Sequence, residues 1–173
     1  MPWGSAHFLP ERLDQPSKIR KPGRVFVCSM SDIGHETVKP EWREAIFNRM
    51  ARKDYRHHQY IILTKRPGPW MRDIPQGVLC GVTIENKTAK WRLSTLYQHV
   101  STASMFVSVE PMLEPVSFQG EMPSWVIAGP ETGPRARHFE PAWIDALECE
   151  CFENGVPFFD KRKMTGVRRE WPK

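Results

Sequence analysis

A short apolar run that stops abruptly at reactive or ionic side chains recurs along this chain, and that repeat most narrows the folds open to it. Trp125–Ala128 breaks at Gly129, gives way to the polar stretch 130–138, and is followed by Pro141 and a segment of helical period. That order reads as strand, polar loop, helix. Other apolar runs stop at Ser29, Ser31 and Asp32, at Thr64, Lys65 and Arg66, at Thr83 and Glu85, and at Ser108 and Glu110. Strands joined by helical crossovers in one sheet run parallel, so their ends share one edge. The sequence therefore predicts a polar rim before it predicts any chemistry.

The expected strands cover residues 24–28, 59–64, 78–84, 105–109, 125–128 and 156–159, with a further short one at 5–10 ended by Pro10. The run at 24–28 is continuously apolar after Arg24, as in strands buried on both faces, and it carries Cys28 as the run at 78–84 carries Cys80. Helical spacing joins Trp42, Ala45, Ile46 and Met50 after Pro40, and then Ala89, Leu93, Leu96, Tyr97 and Val100. A third helix is expected over 141–154, with Gly155 placed to end it. Residues 112–123 read as irregular. Many of the sixteen prolines fall at element ends, where they stop strands or open helices.

This alternation predicts an α/β architecture with a parallel sheet, in a single domain over residues 1–173. An open doubly wound sheet and a (β/α) barrel, whole or partial, both satisfy it. No G-x-G-x-x-G follows the first strand and no Walker lysine motif is present, which takes support from the nucleotide-binding open sheets and favours the barrel-like arc.

Composition sets the broad class. The chain has 173 residues, 40% of them apolar and 26% charged, which is ordinary for a globular domain able to bury a core. No apolar run approaches the roughly 20 residues that span a bilayer. The opening Met1-Pro-Trp-Gly-Ser also lacks the layout of a signal peptide, so a cytoplasmic location without membrane contact is expected. Four cysteines without a dense framework read as reduced thiols. The net charge of +5 permits attraction to nucleic acid or another anion. Much of the excess, however, sits in basic runs at 18–21, 161–163 and 168–169 that read as solvated surface, with a loosely held basic tail over 162–173. His57 and His58 read as solvated loop residues, and Ser29 and Ser31 lack a nucleophile elbow.

The ordered phrases 9–16, 24–32, Leu63-Thr-Lys-Arg-Pro67, 81–86, 106–111, 125–133 and 156–159 resemble successive signatures of an uncharacterised phage- and prophage-encoded protein family related to the radical S-adenosylmethionine enzymes. The resemblance covers nearly the whole chain. It implies a radical-SAM-like, TIM-barrel-related fold. It also implies a [4Fe–4S] cluster held by three closely spaced cysteines in a segment before Leu9. Here the cysteines are Cys28, Cys80, Cys149 and Cys151, and none makes that loop. Cys149 and Cys151 lie two apart on a helix and project about 200° apart, so they do not chelate one iron together. The expectation is a truncated or divergent member, missing the first βα unit and without its own cluster motif. Its open barrel edge would be covered by a second copy or a partner segment.

S-adenosylmethionine, or a related small anionic ligand, would need a cation for its carboxylate, an anion for its ammonium and acceptors for its ribose. As candidates, Lys65 serves the carboxylate, Glu11 the amino group, and Glu85 or Glu110 the ribose. Glu131, Arg135 and Arg137 add a charged loop flanked by Gly129 and Gly133, and Ser31 and Asp32 add polar groups after the first strand. Two alternatives stand beside this site: mutual pairing of the same acids and bases across the barrel mouth, and a nucleic-acid-binding module gripping phosphates with the basic surface. Anaerobic reconstitution with iron and sulfide is expected to yield no stable [4Fe–4S] absorbance from this chain alone; a stoichiometric cluster would show the cysteine reading to be mistaken.

Overall fold

In a computed structural model of the chain, which describes residues 6–101, 104–162 and 166–172, the apolar runs form six parallel strands: β1 Arg24–Phe26, β2 Gln59–Thr64, β3 Leu79–Thr83, β4 Met105–Val109, β5 Trp125–Ala128 and β6 Phe158–Asp160. Each pairs with its neighbours in chain order, from β1 through to β6. A doubly wound sheet reverses its strand order at a switch point, whereas unbroken consecutive order makes a barrel wall. With six strands and no closure the result is an open half-barrel.

Three helices cross between strands: α1 Pro40–Ala51, α2 Trp91–His99 and α3 Pro141–Glu153. Pro at the first position opens α1 and α3, and Gly155, at φ 67°, ends the last in the left-handed region. The β2–β3 connection has only a 3-10 turn over Pro69–Asp73, and the β4–β5 connection is irregular, as 112–123 suggested. Among the described residues no helix is long and apolar enough to cross a membrane.

Strand alternation divides the core in two. Tyr60, Ile62, Cys80, Val82, Val107, Val109, Val126 and Phe158 face the helices and pack with Phe47, Met50, Leu93, Leu96, Ile144 and Leu147. The opposite face carries Ile61, Leu79, Phe106 and Trp125, with Leu63, Ile127 and Phe159 against them. Phe106 and Trp125 rings lie 5.2 Å apart there. Gly81 makes room for them, since a Cβ at that position would come within 2.5 Å of the Phe106 ring.

Several expectations are corrected. No strand forms over the described residues 6–10; Pro10–Arg12 is a 3-10 turn, because Pro10 lacks a donor for a ladder and suits the first position of a tight turn. β1 is not buried on both faces: Val25 packs on the helical side, whereas Arg24 and Phe26, which register with Gln59 and Ile61 on the opposite face, are exposed. Cys28 lies beyond β1 in a turn at φ 56°, whereas Cys80 is inside β3 as expected. His58, expected in solvent, is buried and bonds the carbonyl of Pro16, whereas His57 is exposed as expected and bonds the carbonyl of Ile19, so the pair pins the N-terminal segment.

Residues 166–172 run back along β6 instead of trailing as a loose tail. The Asp160 amide donates to the Arg168 carbonyl at 2.8 Å, and the Glu170 amide to that of Phe158 at 2.8 Å. The Trp125 indole donates to the Glu170 carbonyl at 2.9 Å, and Trp171 packs on Trp125 beneath the Arg24 guanidinium. A tryptophan with an apolar face to cover outweighs the basic composition around it. All four cysteines are free; Cys149 is exposed and Cys151 buried on α3, which matches their divergent projection.

Gly81→Ala is expected to destabilise the protein by about 1–3 kcal/mol in a denaturant titration, because overpacking presses on Phe106. Phe106→Leu in the same chain should recover part of that loss. Additive losses in the double variant would show that the two positions do not meet.

Candidate functional site

Parallel register places Lys65, Glu85, Glu110 and Glu131 one or more residues beyond the C-terminal ends of β2, β3, β4 and β5, on one rim. Their side chains are largely paired. Lys65 Nζ lies 2.5 Å from Glu85 Oε1, and the Arg92 guanidinium lies 2.6 Å from Glu85 Oε2 while also donating to the Thr83 carbonyl at 2.7 Å. Glu110 accepts from the Ser108 hydroxyl at 3.1 Å and from Lys161, whose Nζ lies 2.9 Å from its Oε1. Glu131 accepts from the backbone amide of Arg137 at 2.9 Å and from two guanidinium nitrogens at 2.7 and 2.8 Å.

Asp32 is a structural hub at the first strand end. It accepts from the amide of Gly34 at 2.8 Å, the Thr64 hydroxyl at 2.6 Å and the Lys65 amide at 2.9 Å, with Arg66 3.4 Å away. These bonds tie the loop after β1 to the end of β2 and occupy the acceptor capacity a ligand would use. Ser31 is exposed, and its amide donates to the Cys28 carbonyl at 2.9 Å. Glu11 is exposed on the 3-10 turn before β1. Arg135 is exposed and does not line the rim cleft described next.

That cleft, of about 390 Å³, gathers Lys65 from just after β2, Glu85 and Asn86 from just after β3, Arg92 from α2, Leu113 from the segment after β4, and Arg137 from the loop after β5. Glu85, bonded by Lys65 and Arg92, is the one carboxylate of the lining, and Arg137 enters it from its pair with Glu131 just outside, so the lining itself is cationic on balance. The Arg92 Nε is buried without a hydrogen-bond partner among the described residues. Burial pushes the Glu85 carboxyl up, but the Lys65 ammonium, a backbone amide and Arg92 more than offset it, and the group titrates below the ordinary 4.5. Glu131 falls further, to about 2, through the Arg137 side chain and then its amide.

Gly129 serves the rim differently from the expected approach of backbone to a ligand. A Cβ there would lie 2.9 Å from Glu110 Oε1 and 3.0 Å from the Lys161 Cβ. The missing side chain lets Glu110 and Lys161 join across β5. Gly133 sits at φ 110°, which suits glycine, with nothing within 4 Å of the Cβ position.

Sequence reasoning missed Arg92, Asp160, Lys161 and Arg162. Arg92 was hidden among helix-face residues, although one short turn after Glu85 brings α2's first basic residue back to the strand end. Lys161 and Arg162 were absorbed into a basic run. In the structure Asp160 is fully buried and pairs with Arg162 at 2.6 Å, while Arg162 also reaches Asp145 at 2.8 Å. A lone acid closing an apolar strand, followed two residues later by arginine, was the available signal.

The residues do not fit an iron–sulfur cluster. Cys80 is buried inside β3 and Cys151 buried on α3, so these two are not presented together on one loop. Cys28 and Cys149 sit on different elements. Among the described residues no three His, Cys, Asp or Glu side chains are grouped to hold a metal ion.

A depressed carboxylate stabilises the fold while ionised, and that contribution is lost as pH falls through its folded value. Glu85→Gln is therefore expected to cost about 1–2 kcal/mol at neutral pH. The gap to the parent protein should close as pH drops below 4.5, as followed by chemical denaturation. A gap that stays constant into acid would detach Glu85 from the pairing described.

No curated protein and no solved structure matches the chain. A family model does match it, over residues 3–169, and carries the description "Protein of unknown function (DUF5131)". That match spans nearly every element described above, from the 3-10 turn before β1 to the bridge beside β6. The chain belongs to the DUF5131 family.

Proposed function

We propose that the rim cleft binds S-adenosylmethionine, through its carboxylate, or else a small anionic ligand, in a partial barrel of radical-SAM-like descent that holds no cluster of its own. One observation carries this reading: Lys65, Arg92 and Arg137 come from three separate elements to one cleft in which Glu85 is the sole acid of the lining. A net positive, preorganised cleft favours a carboxylate or phosphate, because charge-assisted donors need little rearrangement to meet it. The C-terminal rim is also the face on which barrel proteins carry their sites. Lys65 and Arg137 would hold the ligand's carboxylate, each being more than one-third exposed and so able to leave part of its present pairing. Of the two alternatives for the ribose hydroxyls, Glu85 or Glu110, the cleft lining contains Glu85. The phage origin and the radical-SAM relationship rest on the sequence phrases alone.

The test is isothermal titration with S-adenosylmethionine, with S-adenosylhomocysteine as a second ligand lacking the sulfonium charge. Saturable binding is expected, weakened about tenfold or more by Lys65→Ala and by Arg137→Ala, as for lost bonds to a charged group. No heat with either ligand, or equal affinity in both variants, would remove the proposal. Retention on a nucleic-acid column that falls steeply as salt rises would instead favour the phosphate-gripping module.

A further inference from the structure

A second cavity, of about 340 Å³, shares no residue with the rim cleft. It lies between β1, α1 and the N-terminal segment, with walls that include Phe8, Val25, Trp42, Ile46 and Met50. Phe8 stacks on Trp42 with ring centroids 5.6 Å apart, which fixes one wall. An apolar cavity of roughly 150 Å³ holds benzene, so this one has room for two fused rings.

Polar groups single out what such a molecule would carry. Tyr60 also lines the cavity; it is 5% exposed, and its hydroxyl is buried with no hydrogen-bond partner among the described residues. A buried hydroxyl without a partner is unfavourable, and a bound acceptor would relieve that cost. Burial pushes its pKa up, so it remains a donor at neutral pH. Arg12 and Arg49 are part of the lining, which contains no carboxylate; Arg49 Nε lies 3.1 Å from Asp14, outside it.

We infer that this cavity is a binding site for a small aromatic carboxylate of one or two rings, with the rings among Phe8, Trp42, Ile46 and Met50 and the carboxylate accepting from the Tyr60 hydroxyl. The site stands independently of the rim.

The experiment uses the whole chain labelled at its methionine methyls and titrated with 1-naphthoate. Met30 and Met50, which line the cavity, should shift saturably, while Met71, Met105 and Met112 stay in place. Tyr60→Phe, which keeps the ring and removes the donor, should weaken binding about tenfold. Ile46→Trp should fill the space and abolish binding, and Lys65→Ala should leave it unchanged. No saturable shift, shifts centred on the other methionines, or full affinity in Tyr60→Phe would each overturn the assignment.

Discussion

The parallel ladder, with each strand beside its neighbours in sequence, is the constraint on which everything else in this structure depends. Parallel pairing aims all six strands one way and alternation sorts their side chains by face. On the face turned from the helices, successive columns read Ile61, Leu63, then Lys65; Leu79, Gly81, Thr83, then Glu85; Phe106, Ser108, then Glu110; Trp125, Ile127, Gly129, then Glu131. Each column runs from large apolar groups toward charge. Tryptophan and phenylalanine fill the lower part of the arc, small or hydroxylated residues occupy its middle, and ions stand at its edge. One register slip in any strand would send a charged tip to the helical side.

Pairing at the edge is what turns a row of charges into a shaped surface. Lys65, Glu85 and Arg92 link β2, β3 and α2, Glu110 and Lys161 link the ends of β4 and β6, and Arg137 folds the β5 loop onto Glu131. Exposed pairs of this sort contribute little each to stability, typically about 0–1 kcal/mol. Their larger effect is positional, since they hold cationic heads in defined places and leave the Arg92 Nε without a partner among the described residues. The two readings weighed for these acids and bases, mutual satisfaction and ligand contact, are thus compatible. Asp32 is the clearest case of the first, because three strong donors already occupy it.

Much of the fold was legible because buried parallel strands announce themselves as apolar runs with sharp polar ends. β2, β4 and β5 begin and end where the sequence reading placed them. β1 differs from the expectation because apolar content does not say whether both faces of a strand are covered, and the face of β1 that carries Arg24 and Phe26 is exposed. The rim was legible as a row of strand ends. Arg92 and Lys161 were not, because their roles depend on which way a helix or a sixth strand returns. The C-terminal residues escaped for a related reason: local composition favoured solvent, while the stacking of Trp171 on Trp125 is a contact across distant sequence. His58 likewise became a buried anchor only through a carbonyl forty-two residues away.

The half-barrel thus offers two concave sites of opposite character, a charged one at the strand tips and an apolar one beside β1. The central claim concerns the first: cations from separate elements converge to receive an anion. A crystal structure of the protein grown with S-adenosylmethionine tests it most directly. The account predicts ligand density in the rim cleft, with its carboxylate within hydrogen-bond distance of Lys65, Arg92 or Arg137. Ligand seated away from all three, or those side chains found on different edges of the sheet, would contradict it.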